Sequence, residues 1–145
     1  MKIHVRTLAP VLASLFFLIA GAAWLNAQIT NAIQAHIHHS FIIGDKTLPP
    51  GDYTFRIESN SDLTAMTARN QQGDVVAQFM VRQSMDNHRP RHSELVFRRY
   101  GNAEFLSKIY ESGSRNGVAV TETGKEERQL VSAGQHGIEH TEEEP

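Results

Sequence analysis

The chain has 145 residues, a near-balanced charge of 14 Lys and Arg against 16 Asp and Glu, and no cysteine. That length suits one domain with a modest core, and the missing cysteines exclude a disulfide framework as the source of its stability. Without a strongly basic balance, the composition speaks against a nucleic-acid partner.

The N-terminus, Met1-Lys2-Ile3-His4-Val5-Arg6, carries two fixed positive charges and no acid. An apolar run over 8–25 follows, and Leu25-Asn26-Ala27 ends it on a small residue. A basic start, an apolar middle and a small residue at the cut are the parts of a cleavable secretory signal. The expected cut follows Ala27, with Ala22 and Ala23 as alternatives. The competing reading is an uncleaved anchor, because about 18 apolar residues can span a bilayer. No Cys follows any of these cuts, which excludes lipid attachment through an N-terminal cysteine. The expected organisation is therefore a signal at 1–27, a small β domain with a short C-terminal helix at 28–133, and a disordered acidic tail at 134–145. The tail expectation rests on Glu139, Glu142, Glu143 and Glu144, a composition typical of solubilising, unstructured ends. The exported product belongs in the periplasm or outside the cell, with no membrane span after cleavage.

Period-2 alternation recurs between turn signals, as half-buried antiparallel strands require. The first expected strand covers 33–43, with Ala35, Ile37, His39, Phe41 and Ile43 on one face and His36, His38, Ser40 and Ile42 on the other. Gly44-Asp45-Lys46 turns the chain, and Pro49-Pro50-Gly51 turns it again. Tyr53, Phe55 and Ile57 then alternate through 52–58, followed by a weaker strand over 63–69. Beyond the loop at Gln71-Gln72-Gly73-Asp74, the strand 75–82 points Val75, Ala77, Phe79 and Val81 one way. A polar loop over 84–92 leads to strands at 94–100 and 104–110, joined by Gly101-Asn102. Helix-forming residues from Glu126 to Leu130 predict a short helix over 125–131. Six short strands at this spacing predict a mainly β fold, an antiparallel meander closing into a barrel or a sandwich.

The segment Phe41-x-Ile43-Gly44-x-Lys46-Thr47-Leu48-Pro49-x-Gly51-x-Tyr53-Thr54 resembles the hallmark of a family of short, signal-bearing bacterial exported proteins of unknown function. A second stretch, Leu95-Val96-Phe97-Arg98-Arg99-Tyr100-Gly101 followed by Phe105-Leu106-Ser107-Lys108-Ile109, is similar to the later motif of that family. Glu126-Glu127-Arg128 is similar to the charged helix that often closes its members. The chain departs from the family at His36-Ile37-His38-His39-Ser40-Phe41, where relatives tend to read Asn-Ile-Pro-Phe-Asp-Phe. The resemblance implies an exported β domain and supplies no activity.

Two clusters carry candidate chemistry. His36 and His38 are two apart on a strand and project from one face, a geometry that can hold Zn, Cu or Ni between imidazoles. His88 and His92, on the polar loop, are candidates to complete such a set, and His39 reads as partly buried. Arg89, Arg91, Arg98 and Arg99, together with Arg82, fall within one strand-loop-strand unit with few acids against them. Guanidinium groups gathered this way recognise carboxylates or phosphates, although charged residues also serve simply to protect strand edges. No cysteine nucleophile, GxSxG elbow or phosphate-cradling loop is present, so no catalytic residue and no cofactor are indicated. The expected function is a non-enzymatic binding or structural module of the envelope, with an anionic glycan or another envelope protein as partner. The alternatives are a metal-binding envelope protein using the strand histidines and a hydrolase without a recognisable signature.

Overall fold

Alternation builds most of the first half of the fold, with Thr67 buried between Met66 and Ala68 as an exception. The structure, a computed structural model, describes residues 32–60, 63–121 and 124–143, so the expected export signal lies outside the described residues. Strand β1 (Ile33–Ile37) pairs antiparallel with β4 (Gly51–Asn60), which pairs with β5 (Leu63–Arg69), which pairs with the first half of β6 (Val75–Met85). Ile33, Ala35, Ile37, Tyr53, Phe55, Met66, Ala68, Ala77 and Phe79 point inward from these strands and are buried. Side chains of alternate residues share a face, so one apolar set per strand suffices to make this layer.

The second half begins within β6. After Met80 the strand leaves β5, and Val81 to Met85 pair instead with β9 (Asn116–Val120). Next come β8 (Ala103–Tyr110), β7 (Glu94–Tyr100) and, beyond β7, β10 (Ile138–Glu143). Strand β2 (Phe41–Ile43) lies parallel to β8 at Ile42↔Phe105, and β3 (Lys46–Leu48) pairs antiparallel with β2. One core cluster draws Phe41, Ile43, Leu95, Phe97, Leu106, Ile109 and Val118 from this half against the apolar face of the first. The arrangement is mainly β, as expected, and consistent with a sandwich. The sheet is not closed, because the ends of its path, β1 and β3, do not pair with each other. The barrel alternative is therefore corrected.

Three further expectations need correction. The single strand over 33–43 is two strands: the chain passes from one half to the other at His38-His39-Ser40, and all three residues of β2 are buried. Ile42 is covered because a helix lies over its side of the sheet. Strand β9, absent from the sequence reading, has only five residues, and its burial does not alternate. The tail expected to be disordered contains β10, whose Ile138, His140 and Glu142 oppose Arg99, Phe97 and Leu95. Ladder hydrogen bonds to β7 and contacts on both faces outweigh its acidic composition.

Helix α1 (Lys125–Ser132) covers the outer face of the second half, where Leu130 packs on Ile42, Tyr100 and Phe105. Gly124 at its N-terminus offers no capping side chain. The turn between β2 and β3 substitutes: Asp45 Oδ1 accepts the Lys125 N–H at 2.7 Å, satisfying a donor the helix leaves open. The approach is so close that a Cβ on Gly124 would collide with the carbonyl of Gly44. Glu127, only 6% exposed, accepts Arg98 Nη1 at 2.8 Å and the Tyr100 hydroxyl at 3.4 Å. Burial works against the Arg98 charge, but the hydrogen bond and attraction from Glu127 outweigh it and hold its pKa above the ordinary value. Among the described residues no helix is long and apolar enough to cross a membrane.

Glu127→Ala should lower unfolding stability by about 2 kcal/mol, the scale of a charge-assisted hydrogen bond reduced for the partial exposure of Arg98. Urea unfolding followed by far-UV circular dichroism measures this, and an unchanged midpoint would show that α1 is not held through Glu127.

Candidate functional site

The exposed histidines sit where alternation placed them. His36 on β1 and His38 just past its end are both exposed, with ring centroids 4.7 Å apart. Register sets His36 opposite Asp52 on β4, and His36 Nδ1 lies 2.6 Å from Asp52 Oδ1. The pair edges an open depression of about 550 Å³, to which Gln34, Thr54, Arg69 and Asn70 also contribute. Among the described residues, no third His, Asp or Glu donor converges with His36 and His38. His88, a candidate to complete the set, is instead held by Asp86 (Nδ1 to Oδ1, 3.0 Å) and Glu94 (Nε2 to Oε2, 3.4 Å). His92 is exposed on the same loop.

The arginines do not form one cluster. Consecutive strand residues face opposite ways, and Arg98 and Arg99 are separated accordingly. Arg98 lies under α1, bonded to Glu127, to Ser107 Oγ at 2.9 Å and to Glu139 at 3.5 Å. Arg99 Nε is 3.6 Å from Glu104 Oε1. Both are committed to the scaffold. Arg89 and Arg91 remain exposed on the β6–β7 loop.

That loop is laced to the β8–β9 loop. Asp86 N–H donates to Arg115 O at 2.9 Å, Gly113 N–H to Pro90 O at 2.7 Å, and Ser112 Oγ to Arg91 O at 2.7 Å. The lacing places Arg115 beside Arg89 at a shallow depression of about 370 Å³, completed by Met85, Ser114 and Asn116. Arg115 has no counterpart in the sequence reading, because nothing local marks two loops 20-odd residues apart as neighbours.

A third arrangement forms where the chain crosses between the halves. His39, at the corner between β1 and β2, meets His140 and Glu142 of β10, and one donor atom from each lies within 4.8 Å of the others. His39 Nδ1 is 2.9 Å from Glu142 Oε1, and His140 Nδ1 is 3.6 Å from Glu104 Oε2 on β8. The side chains are 27%, 28%, 22% and 10% exposed for His39, His140, Glu142 and Glu104. His39 Nε2, His140 Nδ1, Glu142 Oε2 and Glu104 Oε2 are buried without a hydrogen-bond partner. Phe97 forms an apolar wall, edge-on to His39 at 5.0 Å and stacked on His140 at 5.8 Å. Alternation did place His39 on the inward face. It also runs through Ile138, His140 and Glu142, where the acidic composition concealed it.

No protein-family model, curated protein or solved structure matches the chain.

The loop contacts set a pH signature. Donation of a hydrogen bond to Asp86, then of one to Glu94, raises the His88 pKa above its ordinary value of 6.5. The hydrogen bond that Asp86 accepts from the His88 side chain is the main cause that lowers Asp86 below 3.8. A raised histidine contributes below its unfolded pKa and loses that contribution as pH rises through the folded value. A lowered carboxylate contributes above its unfolded pKa and loses that contribution as pH falls through the folded value. The tie is therefore complete between the ordinary Asp and His values. In an NMR titration His88 should show a midpoint above 6.5, and Asp86→Asn should bring it down. An unchanged midpoint in the variant would remove the tie.

Proposed function

We propose that this chain is an exported, non-enzymatic binding module of the bacterial envelope, acting in the periplasm or outside the cell, whose loop arginines engage an anionic ligand. One observation carries the reading. The β6–β7 and β8–β9 loops brace each other at one place and hold Arg89 and Arg91 exposed, with Arg115 beside Arg89. Loops fixed on a rigid β scaffold are common places for recognition. Guanidinium groups fit phosphate, sulfate and carboxylate oxygens in their planar donor geometry. Acidic polysaccharide and the phosphorylated core of lipopolysaccharide carry those groups in the compartment that the export signal implies. The family resemblance supports the same destination. Arg98 and Arg99 drop out of the ligand-facing set, because Glu127, Glu139 and Glu104 already engage them.

Two measurements test the reading. Intact mass of protein from the native envelope fraction should place the mature N-terminus at Gln28; retained residues 1–27 would make the chain a membrane anchor. Binding to lipopolysaccharide and to dextran sulfate should weaken with salt. Replacing both Arg89 and Arg91 by Ala should weaken it roughly 5-fold, from about 0.5 kcal/mol for each exposed pair, while Arg56→Ala leaves it unchanged. Binding that persists at full strength in the double variant would take this loop out of the account.

A further inference from the structure

The corner cluster asks for a different ligand from the arginine loops. We propose that His39, His140 and Glu142 form a binding site for one divalent transition-metal ion, with Glu104 as an adjoining carboxylate. Convergence is the first argument. The four side chains come from three places in the chain, the β1–β2 corner, β8 and β10, yet three of them bring donor atoms within 4.8 Å of one another. Such side chains would separate if each sought only water.

Satisfaction of polar groups is the second argument. Two histidine–carboxylate pairs, His39 with Glu142 and His140 with Glu104, explain part of the arrangement. They leave His39 Nε2 and Glu142 Oε2 buried without a partner, while His140 Nδ1 and Glu104 Oε2 face each other at 3.6 Å, too far apart for a hydrogen bond. An unsatisfied buried polar atom costs about 1–3 kcal/mol, so such atoms gathered in one place need an explanation. A cation bound among them would satisfy several lone pairs at once and neutralise the two carboxylates. Ion pairing alone leaves His39 Nε2 and Glu142 Oε2 unaccounted for.

Ligand chemistry selects the ion. Two imidazoles with one or two carboxylates suit a borderline ion such as Zn²⁺, Ni²⁺ or Cu²⁺. Mg²⁺ and Ca²⁺ prefer sets made only of oxygen. Phe97 supplies a low-dielectric wall against both histidine rings, which strengthens charge–ligand attraction. The site would join the corner between the two halves to the C-terminal strand. It also moves metal binding away from the exposed pair His36 and His38, which lacks a converging third ligand among the described residues.

The test uses the mature chain, freed of bound metal with a chelator and titrated with ZnCl₂, with MgCl₂ as the control. Calorimetry should give one Zn²⁺ per chain with a Kd below about 100 μM and no Mg²⁺ binding. Imidazole NMR signals of His39 and His140 should change in step with that stoichiometry, while those of His36, His38 and His88 stay in place. Glu142→Gln keeps the side-chain shape and should weaken binding at least about 10-fold. His36→Ala combined with His38→Ala should leave it unchanged. Wild-type affinity weaker than about 100 μM would overturn the proposal. So would Zn²⁺ binding that shifts His36 and His38 rather than His39 and His140. Because the NMR readout needs no variant, it stands even where a substitution disturbs folding.

Discussion

The pairing of β10 with β7, running in register from Ile138↔Arg99 to Glu143↔Glu94, is the interaction on which most of the second half depends. Without it β7 would present a bare edge, a liability for any sheet. With it, the C-terminal segment gains two faces with different contacts. On the outer face Glu139 reaches Arg98 at 3.5 Å and Lys108 at 3.1 Å. On the inner face His140 and Glu142 meet His39, Phe97 and Glu104. Arg98 thus receives both the helix, through Glu127, and the terminal strand, through Glu139. An arginine that reads as free in the sequence holds together the elements that follow it in the chain.

The same constraint explains how the chemistry is distributed. A sheet that folds over without closing must cross between its halves, and it does so through β6, at the β1–β2 corner, and at Pro49-Pro50 between β3 and β4. Strand β6 crosses as a continuous ladder, changing partner after Met80. The chain from β1 to β2 crosses as a short corner that carries His38, His39 and Ser40. The continuous crossing buries Val81 and leaves Arg82 and Gln83 beside it facing solvent. At the corner, residues are released from ladder pairing, and a histidine can turn toward the core and meet the terminal strand. The arginine-bearing loops are a separate matter, braced by backbone hydrogen bonds between β6–β7 and β8–β9.

Much of the fold is legible in the sequence, and the misses have physical causes. Strand β4 follows its pattern most closely, with Tyr53 and Phe55 buried between less buried neighbours. Strands β5 and β7 lie where expected, although Thr67 and Val96 are buried as well as the residues on either side of them. The Gly101-Asn102 connection is found where expected, with Gly101 at φ +60°, a conformation that glycine adopts without strain. Strand β2 departs from alternation because α1 covers its second face, and helix docking on Ile42 depends on residues more than 80 positions away. Strand β10 escapes detection because composition and periodicity disagree, and the partner strand rather than the segment decides the outcome. At the candidate sites, the positions of His36 and His38 on one face are readable from spacing alone. The meeting of His39 with His140, and of Arg89 with Arg115, depends on tertiary contacts that no local pattern carries.

Hydrogen exchange of the backbone amides over 138–143, measured in the whole mature chain, shows whether β10 is held on β7. Alternate amides of β10, those bonded to β7 in an antiparallel edge pair, should exchange at least roughly 100-fold more slowly than in a free peptide. Exchange of the whole segment at free-peptide rates would contradict this pairing. His140 and Glu142 would then not be held at the corner, and Arg98 would lose its contact with the terminal strand.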